Sequence, residues 1–184
     1  MRLGIALLAS LLVLATPAVA HAQIEDYASY DGPRKCHPQP RAGTDYLGHW
    51  IVKRYGGGFG GISRACRRKD GPTSEHQEGR AFDWTLNAQS KADRGRAKAF
   101  MERIFQADWR GNEDAWARRM GVMYLIWNDE MYPAWNGFEP EPYLASSCPT
   151  KKKCSTTLRH RDHLHVSLSR PGANGRTSWY DDRL

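Results

Sequence analysis

Residues 122–127 read Val-Met-Tyr-Leu-Ile-Trp, the most apolar strand-length run beyond the first 22 residues. So short a run, rich in β-branched and aromatic side chains, reads as a strand that sits centrally in a sheet. Other segments fit around it. Residues 82–86 alternate apolar and polar, as a strand does, with Asp83 on one face, and residues 163–168 form a last strand. Asn128-Asp129-Glu130 makes a hairpin turn into a return strand over 131–135, which Pro133 places at an edge because proline cannot donate to a ladder. Between the first and central strands, residues 92–107 carry Ala97, Phe100, Met101, Ile104 and Phe105 at helical spacing. Met101 and nearby Trp109 read as core, and a second short helix over 113–120 stops at Gly121. The order strand, helix, helix, strand, strand, strand predicts an α+β fold, an antiparallel sheet with flanking helices.

The remaining stretches are less decisive. Residues 45–55 fit a short helix or a strand equally well, and the run Gly56-Gly57-Gly58-Phe59-Gly60-Gly61 reads as a flexible turn, since it lacks the Lys and Ser/Thr of a phosphate loop. Residues 61–68 alternate well enough for a strand leading into the Asp70-Gly71-Pro72 turn, and 172–184 reads as a polar tail carrying Trp179 and Tyr180.

Met1 and Arg2, the apolar run that follows, and the small residues after Pro17 have the form of a signal peptide over 1–22. Cleavage fits after Ala20 or Ala22, the second preferred, and the apolar run falls short of the ~20 residues of a spanning helix. The expectation is an exported, secreted monomer without a transmembrane anchor. Its extended Pro- and Gly-rich arm over 23–45, an extended or wall-facing leader, precedes one catalytic domain over 46–184. About 160 residues suit a single domain. The formal charge is +7, and loss of Arg2 with the leader lowers it by only one. So basic a surface favours anionic partners such as wall polymers, lipid headgroups or stray nucleic acid. The four cysteines follow the leader, where oxidised pairs persist. Of the three possible pairings, Cys36 with Cys66 and Cys148 with Cys154 are preferred. The second closes the polar loop 149–153, and the first pins the segment ahead of the core. A four-cysteine zinc site lacks the close spacing of a knuckle.

Chemistry concentrates in Ser74-Glu75-His76-Gln77-Glu78-Gly79-Arg80-Ala81-Phe82-Asp83 and Asp162-His163-Leu164-His165. His163 and His165, two apart in a strand, leave the same face, with Asp162 and Leu164 on the other. Gly79 allows a loop that brings Asp83 back toward His76. A loop, the next strand and a distant strand can thus converge on one zinc, with a position left for water.

Ser74-x-His76-x-x-Gly79-x-Ala81-x-Asp83 followed by a terminal His-x-His strand resembles the D-alanyl-D-alanine carboxypeptidase and murein endopeptidase superfamily of zinc peptidases. The resemblance covers Cys66 to about Leu168. The strings at 120–128 and 161–167 are similar to a secreted actinobacterial branch. The resemblance implies one zinc per chain, held by His76, Asp83 and His165, and hydrolysis of peptidoglycan stem peptides or cross-links by a zinc-activated water. It makes His163 the second-sphere histidine. Where several members carry a Glu, this chain has the shorter Asp162, so the base is assigned to His163 first and Asp162 second. The family's upstream arginine, which binds the substrate carbonyl, corresponds to Arg67, with Arg64 as runner-up. Trp84, Trp127, Tyr132 and Trp135 are core residues or walls of a peptide groove. A non-catalytic wall-binding module and a secreted zinc nuclease are the alternatives. No interleaving of aromatic and basic residues marks a groove for nucleic acid.

Overall fold

The structure is a computed structural model that describes residues 24–66 and 74–184. The leader, its cleavage sites, the Asp70-Gly71-Pro72 turn and Arg67 lie outside the described residues. The chain runs through helix α1 (Ala42–Tyr55), strands β1 (Gly58–Gly61) and β2 (Ala81–Thr85), then helices α2 (Lys91–Ile104) and α3 (Ala115–Arg119). Strands β3 (Val122–Trp127), β4 (Glu130–Pro133), β5 (Glu141–Pro142) and β6 (His163–Leu168) and helix α4 (Arg170–Ala173) follow. The strands form one open antiparallel sheet in the order β1-β2-β6-β3-β4-β5. This is the expected α+β architecture, with β6 and the apolar β3 at its centre.

Alternation gives the sheet two different faces. Phe82 and Trp84 of β2, Leu164 and Val166 of β6 and Leu125 of β3 join Leu47 and Ile51 of α1 and Ala97, Phe100 and Ile104 of α2 in the main core. Ser90 starts α2 by accepting a hydrogen bond from the Asp93 amide at 3.3 Å, which satisfies one of the helix's free N–H groups. The opposite face carries Asp83, His163, His165, Tyr124 and Ile126.

Several sequence expectations need correction. Residues 45–55 belong to a helix, because Leu47 and Ile51 recur at one turn's spacing and are fully buried against the sheet. The glycine run ends in edge strand β1, paired with β2 from Gly58↔Thr85 to Gly61↔Asp83, whereas 62–66 holds no strand. Ladder hydrogen bonds require only backbone, so poor intrinsic propensity does not prevent pairing with a well-anchored neighbour. Strand β4 stops at Pro133 and is flanked by the two-residue β5, so it lies one strand inside the edge. Residues 172–184 are no tail: Trp179 and Tyr180 are buried, with the Trp179 ring 5.2 Å from Trp50 and 5.7 Å from Tyr46. Trp109 is 84% exposed rather than core. The arm, irregular over residues 24–41, lies against the body, where Ile24 is buried and Arg170 donates to Asp31 at 2.7 Å.

Two disulfides, Cys36–Cys66 and Cys148–Cys154, are present with Cα separations of 5.9 and 5.4 Å, matching the preferred pairing. They are consistent with an oxidising, extracellular setting. No helix among the described residues is long and apolar enough to cross a membrane.

Helices α1 and α4 approach closely at Gly43, where a Cβ would run into Gly172 O and lie 2.6 Å from Gly175 N. Gly95 in α2 is exposed and has nothing within 4 Å of a Cβ. Gly43→Ala should lower the free energy of unfolding by about 2 kcal/mol. Gly95→Ala should raise it by roughly 0.5–1 kcal/mol, by removing glycine from a helix interior. Urea unfolding of both variants checks the opposite signs.

Candidate metal centre

The β2–β6 ladder pairs Asp83 directly with His165, and the β3–β6 ladder places Ile126 on the other side of the same histidine. His76 arrives from a 3-10 turn, Glu75–Glu78, that leads into β2. Ser74 accepts from the His76 amide at 3.4 Å, and Gly79 closes the turn in the left-handed region at φ 67°. A Cβ at Gly79 would also collide with the Gln39 carbonyl of the arm, so glycine is required there twice over.

A buried ion pair fixes this turn behind the site. Arg80, 2% exposed, donates to Glu78 at 2.6 Å, to the Leu168 carbonyl at 2.9 Å, and to the Asp31 carbonyl. Glu78 also accepts from the amides of Arg34 and Lys35 at 2.8 and 3.0 Å. Burial pushes its carboxyl up, but those amides and Arg80 outweigh it and bring the pKa down to about 2.

The result is a triangle of ligand atoms. His76 Nε2 lies 3.1 Å from His165 Nδ1 and 3.2 Å from Asp83 Oδ1, and His165 Nδ1 lies 3.1 Å from Asp83 Oδ1. Among the described residues this is the set of His, Cys, Asp and Glu that can hold a metal ion. Four donors around a tetrahedral zinc at ~2.0–2.1 Å stand roughly 3.3–3.4 Å apart, so the spacing fits. The protons fit as well. His76 Nδ1 donates to the Ile62 carbonyl at 2.7 Å, which leaves a lone pair on Nε2. His165 Nε2 lies 2.9 Å from Ser167 Oγ, which can accept its proton; in that tautomer Nδ1 is free. Two lone pairs and a carboxylate then face one point without a proton between them, an arrangement that a cation satisfies. The outer partners that fix both tautomers are those expected around metal-bound histidines.

Electrostatics agree. In the metal-free chain those two nitrogens can carry protons instead; burial then opposes charge on Asp83, but hydrogen bonds from His165 and His76 and their charge outweigh it and hold its carboxyl far below the usual range. Burial pushes His165 down, which favours the neutral, ligating form.

His163 stands beside the triangle, its Nε2 3.6 Å from Asp83 Oδ1 and its Nδ1 2.7 Å from Asp162 Oδ1. Strand alternation was expected to send Asp162 to the other face. Asp162 precedes the first residue of β6, so the alternation does not bind it, and its carboxylate accepts from both His163 and Thr157. Burial raises the Asp162 pKa, but those two hydrogen bonds outweigh it and lower it.

His76, His163 and His165 line a cavity of about 430 Å³ together with Arg64, Ser74, Glu75, Tyr124, Ile126, Tyr143, Ser146, Ser147 and His160. Arg64, the runner-up to Arg67, therefore lies at the site. Trp84 and Trp127 are core, and neither Tyr132 nor Trp135 lines this cavity. Tyr124, Tyr143, Glu75 and His160 were not singled out in the sequence. Tyr124 stacks on His165 at 5.6 Å and donates to Glu75 at 2.8 Å, and its alternation with Ile126 beside the His-x-His strand was the one available signal. His160 adopts φ 49° and its ring lies 4.7 Å from His163. Burial, with repulsion from His165 and His163, lowers its pKa to about 3.

Elemental analysis should find about one zinc per chain and none in His76→Ala. Acid should destabilise the metal-free protein for a stated reason. The folded state holds His160 neutral down to about pH 3, whereas the unfolded chain binds that proton near the usual 6.5. Stability from this group is present above pH 6.5 and is lost as pH falls below it. In urea unfolding with chelator present, His160→Asn should flatten the decline between pH 6.5 and 4.5. The decline from His165, which has the same sign, should remain.

No curated protein and no solved structure matches the chain. The sequence model of the family described as VldE, C-terminal domain, matches residues 36–153, well over half of the chain. That span takes in His76 and Asp83 and stops short of His163 and His165. On this match, the chain belongs to the VldE C-terminal domain family.

Proposed function

We propose that this chain is an exported zinc peptidase that hydrolyses peptide bonds in peptidoglycan stem peptides or cross-links. The carrying observation is the triangle of His76, Asp83 and His165, whose two histidines line an open cavity, with an Asp162-supported histidine beside them. The motif resemblance of residues 74–83 and 162–165 to zinc carboxypeptidases and murein endopeptidases supports the substrate class. The leader-like residues 1–22 and both disulfides support export.

A zinc held by His76, Asp83 and His165 supplies a Lewis acid and a water of lowered pKa. The chain's own residues do the rest. His163 donates its Nδ1 proton to Asp162, so its Nε2 is the nitrogen free to take a proton from the attacking water and return it to the leaving amine. Asp162 orients the ring and stabilises the imidazolium that forms, a positioning role that suits its shorter side chain. Arg64, which lines the cavity, supplies positive charge where the carbonyl oxygen becomes negative. The cavity is large enough for a short peptide, and Tyr124 and Tyr143 give it apolar walls.

Incubation of the zinc-loaded protein with purified peptidoglycan peptides should release new amino groups or D-alanine, resolved by chromatography. His163→Ala should retain zinc and lose about 10²–10⁴-fold in kcat. Asp162→Asn should lose roughly 10–100-fold, with its pH profile shifted. A zinc-loaded wild type that binds wall without cutting any peptide in it would overturn the peptidase reading and leave a wall-binding module.

A further inference from the structure

The segment between Cys148 and Cys154 is absent from the mechanism above. Its two stems line the cavity, Ala145, Ser146 and Ser147 before it and Thr157 and Leu158 after it. Lys151, Lys152 and Lys153 form a 3-10 turn, and all three are exposed. None is ion-paired among the described residues. The nearby Asp129 carboxylate feels the charge of Lys151 but is engaged by the Arg159 guanidinium at 2.8 Å on both oxygens.

The turn is held firmly. The disulfide closes the loop, with hydrogen bonds from Lys153 N to Thr150 O at 3.1 Å and Cys154 N to Lys151 O at 3.3 Å inside it. The following stem is fastened to the β3–β4 turn, where Asn128 N donates to His160 O at 2.7 Å and Asp129 N to Arg159 O at 3.1 Å. Holding three like charges on adjacent residues of a closed loop is unfavourable without a counter-charge. A preorganised cluster of this kind lowers the ordering cost of binding an anion. Arg64, which also lines the cavity, is exposed and carries no ion pair among the described residues.

We propose that the Lys151–Lys153 turn is a docking site for a flexible linear polyanion, which it holds beside the metal cavity. A chain of regularly spaced anionic groups can follow three adjacent lysines and leave the cavity open. A lipid surface would need apolar side chains to enter hydrocarbon; residues 147–157 carry no aliphatic or aromatic side chain larger than proline, and the exposed Leu144 and Leu158 lie on the stems and not on the turn. Lysine meets phosphate and carboxylate as a point charge, so the anionic group is settled by the probes below. The docking is independent of peptide hydrolysis.

The test compares the oxidised wild-type chain with K151Q/K152Q/K153Q and with K53Q/K91Q/K98Q, which removes the same charge from helices α1 and α2. Probes are long-chain polyphosphate, poly-L-glutamate, and vesicles of phosphatidylglycerol in phosphatidylcholine, each titrated across a salt series. The loop variant should lose roughly tenfold in affinity for at least one of the polymers, and the slope of log affinity against log salt should fall by about 2 to 3. The helix variant should lose less than threefold. His76→Ala should bind the polymer as the wild type does. Polyphosphate preference would assign phosphate as the group, and polyglutamate preference carboxylate. Equal losses in both lysine variants would overturn the proposal in favour of diffuse net charge. Polymer binding lost in His76→Ala would overturn it in favour of an anion held at the metal. Loop-dependent binding to vesicles that exceeds binding to both polymers would overturn it in favour of a membrane.

Discussion

The direct opposition of Asp83 and His165 across the β2–β6 ladder is the constraint on which the rest of the site depends. Side chains alternate with a period of two, so a slip of one residue would turn either ligand into the helix-covered core. The register is fixed by what the same strands bury on the other face. Phe82, Trp84, Leu164 and Val166 are all fully enclosed beneath α1 and α2, and burying such side chains is worth ~1.5–3 kcal/mol each. Hydrophobic packing on one side of the sheet thus sets the geometry of the candidate metal ligands on the other.

His76 is not a sheet residue, and its placement has another cause. The turn that carries it is gripped by Arg80 and Glu78, a buried pair whose remaining hydrogen-bonding capacity goes to the Leu168 and Asp31 carbonyls and to the Arg34 and Lys35 amides. Breaking such a pair leaves a buried charge uncompensated, at a cost of about 3–5 kcal/mol. The arm is therefore part of the frame behind the site: the Cys36–Cys66 disulfide and the close approach of Gly79 to Gln39 hold it there. On the solvent side, the second disulfide performs the corresponding task for the cavity's far wall. The candidate ligands rest on the sheet and a braced turn, while much of the cavity wall, including Tyr143, Ser146, Ser147 and His160, lies on loops, the usual division between a rigid scaffold and adaptable contacts.

Much of this was legible in the chain. The apolar run at 122–127, the alternation at 82–86 and the helical spacing at 92–107 each announce their element, because burial imposes a period on sequence. His76, Asp83 and His165 carried both a motif and a geometric rationale, and they are the residues the fold brings together. The glycine-rich β1 was illegible, since its pairing is a property of β2's exposed edge and not of its own side chains. The buried Trp179 and Tyr180 sit among polar residues that conceal a non-local contact with α1. His160 gave no signal either: its left-handed backbone and its approach to His163 arise from the docking of one loop on the β3–β4 turn.

By itself, the sequence determined the elements with strong periodicity, the α+β class and the chemical identity of the ligand set, since these follow from residue type and local spacing. The tertiary structure alone decided which nitrogen of each histidine faces the metal point, that Asp162 turns to support His163, and which residues wall the cavity. Those depend on contacts that follow no strand or helix period, such as Ile62 with His76, Thr157 with Asp162 and Glu75 with Tyr124. Such contacts leave no period in the sequence, because a hydrogen bond constrains a distance in space and not a spacing along the chain.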